Sequence, residues 1–268
     1  MSISALSVKE LREKTGVGMM DCKKALEHTQ GNFEDAIQYL REKGLATAAK
    51  KSDREATEGK LFAAVQGGKG VLLQLACETD FVANNTAFMA FGESITQEAL
   101  SHQVATPAAL NDRSVNGRSF SEAVSELVLM LGENIGVKQL TLMNATQIGH
   151  YVHSNGKIGV LVGFSGTVSN ELARDVAMHV AASQPQVVTR DEVATDSLTQ
   201  EIEIIKTQAR NEGKPEAILD RLVTGKLEKF YKDHCLLEQP FVKDPTKSVS
   251  SLLPEGVTIT SFTRYAVS

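Results

Sequence analysis

The sequence predicts an α+β protein: a three-helix module at the N-terminus, two related α+β core subdomains, and an antiparallel helical hairpin inserted in the second. Three observations predict it. The apolar period is helical over residues 4–45 and becomes strand-like from residue 59. The turn-then-strand pattern "GGKGVLLQLA" returns roughly ninety residues later as "GKIGVLVGFS", each time followed by a helix, which reads as an internal duplication. Residues 190–234 carry narrow apolar stripes of the kind two paired helices bury against each other. The expected boundaries are 1–55 for the N-terminal module, 56–140 for the first core subdomain and 141–268 for the second, with the hairpin at about 188–234.

Each element has a local reason. Ser7 can cap the first helix, whose continuation "VKELREK" sets Val8 and Leu11 on one face. Thr15-Gly16-Val17-Gly18 then reverses the chain. "MMDCKKALEHTQ" places Met19 or Met20, Lys23 and Leu26 at helical spacing. Consecutive residues cannot both face one small core, so one methionine is expected to pack and the other to stay available for a partner. "FEDAIQYLREKG" carries Phe33, Ile37 and Leu40 on one stripe and is expected to end at Gly44, with "ATAAKKSDREATEG" a polar connector beyond it. So small a bundle buries little, and it reads as a docking module.

"KLFAAV" and "VLLQLA" around "QGGKG" form a β-hairpin. Two amphipathic helices follow, with Phe88, Phe91, Ile95 and Ala99 on one face and Val124, Leu127, Val128 and Leu131 on the other. "QLTLMNA" reads as a strand opening the second subdomain, "YVHSNGKIGVLVGFSG" as a hairpin and "NELARDVAMHVAAS" as a helix. In the inserted hairpin, Leu198, Ile202, Ile205 and Ala209 are expected to face Leu219, Val223, Leu227 and Phe230 across the turn at Gly213-Lys214-Pro215. "VTITSFTRYAV" returns to the second sheet.

The 268 residues carry a net charge of -5 with pI about 5.7, and their one short basic run is Lys50, Lys51 and Arg54, so no direct nucleic-acid role is expected. No apolar run reaches the roughly 20 residues of a membrane span, and the N-terminus lacks a signal-peptide core. Cys22, Cys77 and Cys235 stand far apart, as suits a reducing compartment. A cytoplasmic protein with no membrane partner is expected. The sequence has no GxxxxGK[ST] phosphate loop, no GxGxxG opening a βαβ unit, no GxSxG and no HExxH. His234-Cys235 is the one Cys/His neighbour pair, and adjacent side chains diverge. His179 reads as a core or edge histidine, while His150 and His153, three apart, are weak evidence for metal. No catalytic residue, metal or cofactor is expected.

"ACETDFVANN", residues 76–85, resists so plain a reading. An apolar strand ends in Glu78, Thr79 and Asp80, and Phe81 stands before two asparagines that can start a helix. Its ring either packs inward or fills a pocket on another protein. Phe88 and Phe91 already supply aromatic packing close by.

"ETDFVANN" and "LREKTGVGMMDCKKAL" strongly resemble the elongation factor Ts family, guanine-nucleotide exchange factors for elongation factor Tu. "HVAASQP", "GKPEAI" and "EQPFVKDP" resemble the same family in the same order, so the likeness runs almost end to end. The resemblance implies a UBA-like N-terminal module, two related core subdomains and the inserted hairpin. It also implies that Thr79, Asp80, Phe81 and Val82 wedge into the GTPase domain of elongation factor Tu, GDP-bound or nucleotide-free, and disturb its magnesium and phosphate site. Arg12, Met19, Met20, Asp21 and Lys23 become contacts of the N-terminal module, although Asp21 and Lys23 taken alone read as a solvated helix face. Gly132 and His153 are further candidate contacts.

Two departures stand out. Position 17 is valine where the family usually has alanine. The sequence stops at Ser268, so the C-terminal helix with which many bacterial members also touch the partner is expected to be missing. The apolar hairpin is compatible with a homodimer. Two other functions, a tether for an unrelated partner and an enzyme using Cys235, account for fewer of these motifs.

Overall fold

The computed structural model describes residues 3–115 and 117–267; Ser268 lies outside them. The first helix, α1 (Ala5–Thr15), is capped by Ser4, whose hydroxyl accepts from the Ser7 N–H at 3.0 Å. Ser7 therefore sits inside the helix instead of at its cap, because a capping hydroxyl must precede the first turn. Gly16, at φ 69°, ends α1 in the left-handed conformation that glycine adopts without strain. Helices α2 (Met19–His28) and α3 (Phe33–Lys51) complete a bundle whose core is Val8, Leu11, Val17, Cys22, Ala25, Leu26, Ala36 and Leu40.

Two expectations fail here. Cys22, Ala25 and Leu26 are the buried residues of α2, so neither methionine packs: Met19 is 41% exposed and Met20 64%. And α3 runs on through Gly44 to Lys51. Gly44 is buried, and a Cβ there would lie 3.1 Å from the Ser125 carbonyl oxygen of the helix packed across it. The glycine permits close helix approach, and that packing outweighs the helix-breaking tendency that marked it as a stop.

Strands β1 (Glu58–Gln66) and β2 (Lys69–Cys77) pair in register across Gly67 and Gly68. The chain continues through α4 (Asp80–Ala83), α5 (Thr86–Ser101), a minimal ribbon of β3 (Ser114–Val115) and β4 (Arg118–Ser119), α6 (Phe120–Leu131) and β5 (Gly136–Asn144). The sheet order is β1-β2-β5, all antiparallel. "QLTLMNA" thus closes the first sheet instead of opening the second, and residue 140 falls inside β5. β2 is buried on both faces. Leu73 and Leu75 join Phe88, Ile95 and Leu127 beneath the helices, while Leu72 faces Met143, Ile148 and Leu161 toward the other sheet. A strand covered on both faces needs a near-continuous apolar run, and in "VLLQLA" only the buried Gln74 interrupts it.

The second sheet has β6 (Gln147–Val152), β7 (Ile158–Phe164) and, after α7 (Asn170–Ser183), α8 (Thr195–Asn211), α9 (Leu219–His234) and the ribbon β8 (Pro240–Phe241) with β9 (Asp244–Ser248), the returning strand β10 (Ile259–Ala266). Its order is β10-β7-β6. The two similar stretches take the same place, each forming the central strand of a three-stranded sheet. Ile205, Ala209, Leu219 and Val223 are buried in the α8–α9 hairpin; Leu198, Ile202, Leu227 and Phe230 are half-buried. At the hairpin base the Arg190 guanidinium donates to Glu228 at 2.8 and 2.7 Å and to Glu238 at 2.6 Å, and lies 4.3 Å over the Tyr231 ring.

Helix α7 packs so closely on β6 that a Cβ on Gly149 would run into the Ala173 carbonyl. Backbone cannot yield as a flexible side chain can. Gly149→Ala is expected to destabilise the fold by about 1–3 kcal/mol, read as a lower urea midpoint at an unchanged slope.

Candidate functional site

The stretch after β2 is a sharp knuckle built by two caps. Thr79 is extended (φ -128°) and caps the one-turn helix α4, its Oγ1 accepting from the Val82 N–H at 3.4 Å. Asn85 caps α5, accepting from the Ala87 N–H at 2.8 Å. Between them Ala83 is buried, and Val82 packs half-buried against the core. Asp80 and Phe81 are left at the tip, and Phe81 is 84% exposed. An aromatic ring this open contributes no packing to its own chain, which settles its direction: outward.

The knuckle is braced from behind. The Glu133 carboxylate accepts from the Glu78 N–H (3.0 Å), the Thr79 N–H (3.0 Å) and the Thr79 hydroxyl (2.5 Å). In return the Glu78 carboxylate accepts from the Asn134 N–H at 2.7 Å, with Arg54 at 3.6 Å. Asn134 donates through Nδ2 to the carbonyls of Arg54 (2.7 Å) and Ser52 (3.3 Å), and the Lys51 ammonium donates to the Gly132 carbonyl. The segment 132–134 therefore clamps the end of α3 and the start of the knuckle together. The Cys77 thiol donates to the Thr79 carbonyl at 3.1 Å. Burial first, and Glu133 next, push its pKa up to about 12, so it stays an inert thiol. Glu133 and Asn134 are absent from the sequence candidates. Their one sequence signal is a polar pair directly after Gly132, the left-handed cap (φ 80°) of α6.

The remaining candidates lie elsewhere. Arg12, Met19, Met20 and Lys23 are exposed on α1 and α2, Lys23 within 3.7 Å of Glu27. Asp21 is half-buried and held by the Lys43 ammonium at 2.5 Å, so its first role is to tie α2 to α3. Gly132 has open space where a side chain would stand. His153 is exposed at the β6–β7 turn, its Nδ1 2.8 Å from the Tyr151 hydroxyl, beside a cleft of about 340 Å³ that Ile158, Met178 and Val242 help to line. His179 is fully buried among hydrogen-bond partners, as a core histidine. His234 stacks on Phe230 at 4.2 Å while Cys235 points into the core, so that pair does diverge. Among the described residues no three His, Cys, Asp or Glu side chains group as a metal site, and no helix is long and apolar enough to cross a membrane.

Fold and site define an α+β protein that presents an exposed aromatic side chain on a rigidly braced turn. The family model for elongation factor TS matches residues 78–268, starting at the brace itself. Elongation factor Ts of Teredinibacter turnerae (strain ATCC 39867 / T7901) is 45% identical over 272 aligned positions, which cover 100% of this chain and 91% of that protein. The chain belongs to the elongation factor Ts family. It is thereby a translation elongation factor of protein biosynthesis, acting in nucleotide exchange on elongation factor Tu.

Proposed function

We propose that this chain releases GDP from elongation factor Tu by inserting the Phe81 ring, with Asp80 beside it, into the GTPase domain next to the magnesium and phosphate site. One observation carries the reading: the largest side chain of the knuckle is 84% exposed, beside an exposed Asp80, on a turn held by its caps, the buried Ala83 and the Glu133 brace. A GTPase holds GDP through phosphate-loop amides and magnesium, with neighbouring loops ordered by both. An exchange factor needs no bond-making residue. It must bind better to the state in which those loops are displaced, and by linkage GDP then weakens it to the same degree. Asp80 brings a carboxylate to the same place, where it can accept from loop amides or repel the phosphate-side ligands.

The exposed Arg12, Met19, Met20 and Lys23 offer a second contact to the GTPase domain, the two methionines as soft, adaptable surface. Asp21 supports them through Lys43. His153 and the cleft beside it, and the open face of Gly132, supply contacts to other parts of the partner, which is bound both with GDP and without nucleotide. The test is stopped-flow release of fluorescent GDP from elongation factor Tu. Wild type should accelerate release; if it does not, the exchange reading is wrong. Phe81→Ala acting as fast as wild type would remove the wedge alone.

A further inference from the structure

We infer that Glu133 is the positioning residue of the knuckle, holding Phe81 at the angle from which it enters the partner. The inference rests on the wedge reading above and adds a residue to it. Helix α4 is one turn long, and a helix that short does not hold itself together in water. Its N-cap must be fixed by something else, and Glu133 fixes it three times over. Two backbone N–H groups and the Thr79 hydroxyl all donate to the one carboxylate. The third bond also settles the hydroxyl's direction. With its proton given to Glu133, Thr79 Oγ1 has its lone pair free for the Val82 N–H. That cap bond joins the hydrogen bond from the Ala83 N–H to the Thr79 carbonyl, at 3.1 Å, in forming the first turn of α4, and Phe81 sits within that turn.

Glu133 is itself held in place. Its neighbours on both sides are tied to the end of α3, Gly132 through Lys51 and Asn134 through Ser52 and Arg54. The Glu78 carboxylate closes the loop on the Asn134 N–H. At the tip, the Phe81 and Asp80 side chains are exposed. The rigidity of the wedge is therefore stored behind it.

The experiment compares Glu133→Ala, Glu133→Gln, Phe81→Ala and the double variant Phe81→Ala/Glu133→Ala in the stopped-flow GDP-release assay on the full chain. Glu133→Ala should slow release about fivefold, the scale of one net hydrogen bond. Its effect should stay below that of Phe81→Ala, because it tilts the ring without removing it. Glu133→Gln should restore most of the rate. Its amide oxygen can accept both N–H groups, and its NH₂ can donate to the Thr79 hydroxyl oxygen. In the Phe81→Ala background Glu133→Ala should add less than about twofold, the mark of one shared function. Hydrogen exchange at the Ala83 and Asn84 amides should quicken in Glu133→Ala while Leu73 and Leu75 stay protected.

Wild-type release by Glu133→Ala, with Phe81→Ala slow, sinks this inference and leaves the wedge standing. So does a full additional loss in the double variant. Wild-type release by Phe81→Ala removes the wedge itself. If Glu133→Ala fails to fold, Thr79→Val, which removes the donated hydroxyl, takes its place in the same cycle with the same expected signs.

Discussion

Phe81→Ala is expected to slow the stimulated release of GDP from elongation factor Tu by about 10–100-fold while leaving the thermal midpoint of the free chain unchanged. The ring is 84% exposed, so its removal takes no contact from the native fold, and surface changes of this kind fall within about 0.5 kcal/mol. In the complex the same ring would be buried, and burying a phenylalanine is worth roughly 1.5–3 kcal/mol. At 1.4 kcal/mol per tenfold, that is the predicted range. A thousandfold weakening of GDP needs about 4 kcal/mol of coupling, so one ring supplies much of it and Asp80 and the surrounding contacts the rest. Reciprocity adds a second reading. The variant's advantage for nucleotide-free over GDP-bound partner must shrink by the factor its coupling has lost, measurable by equilibrium binding to both forms. A slow variant whose preference is unchanged would show that Phe81 acts on the rate by some route other than displacing the nucleotide site.

How far such a site is legible in a sequence depends on the range of the forces that build it. The α1–α2 turn, the β1–β2 hairpin and the α8–α9 pair follow local rules of periodicity and glycine placement, and they stand where those rules put them. Gly44 reads as a stop because its purpose, clearance for the Ser125 backbone, lies on a helix about eighty residues away. β5 reads as a strand, but alternation says nothing about which sheet it joins; its pairing with β2 is decided by Leu140 under the helices and Met143 between the sheets. Asp21 looks like surface until Lys43 is brought to it.

The knuckle shows the same division. Its two caps, Thr79 and Asn85, are readable from residue type and spacing. The direction of Phe81 is not readable from periodicity, which leaves it undecided. Glu133 is not readable at all: a glutamate beside a glycine gives no sign of the two amides waiting 54 and 55 residues earlier. What the resemblance to the family supplies is the motif, and what the three-dimensional structure supplies is the brace behind it.

His179→Ala is expected to be the most destabilising single change considered, at about 3–5 kcal/mol. The imidazole is fully buried at the junction of α7, the foot of α9 and the β8–β9 ribbon. Its Nδ1 accepts from the Val242 N–H at 3.1 Å, which leaves the proton on Nε2, donated to the Gln239 side-chain oxygen at 2.9 Å. Gln239, also buried, passes its own amide to the carbonyls of Asp233 (2.8 Å) and Ser183 (3.4 Å). Alanine would strand the Val242 donor and the Gln239 acceptor, each worth about 1–3 kcal/mol once unpaired, and leave a cavity beside Phe241.

The same arrangement makes stability depend on pH in a definite direction. Burial holds the His179 pKa below the ordinary histidine value, a shift that the Gln239 hydrogen bond only partly opposes. The unfolded chain then binds this proton first. The contribution is complete above the unfolded pKa of about 6.5 and is lost as pH falls through it toward the lower folded value. His150 is shifted in the same sense, by desolvation and then by Arg174, but its side chain is exposed to water, which screens its share, so the acid loss is carried mainly by His179. Urea midpoints taken at pH 7.5 and 5.5 measure that loss. His179→Ala should lose the His179 part of the slope. A variant as pH-sensitive as the wild type would mean that His179 is already charged in the folded protein. The hydrogen bond it receives from Val242 could not then exist, because an imidazolium has no lone pair to accept it.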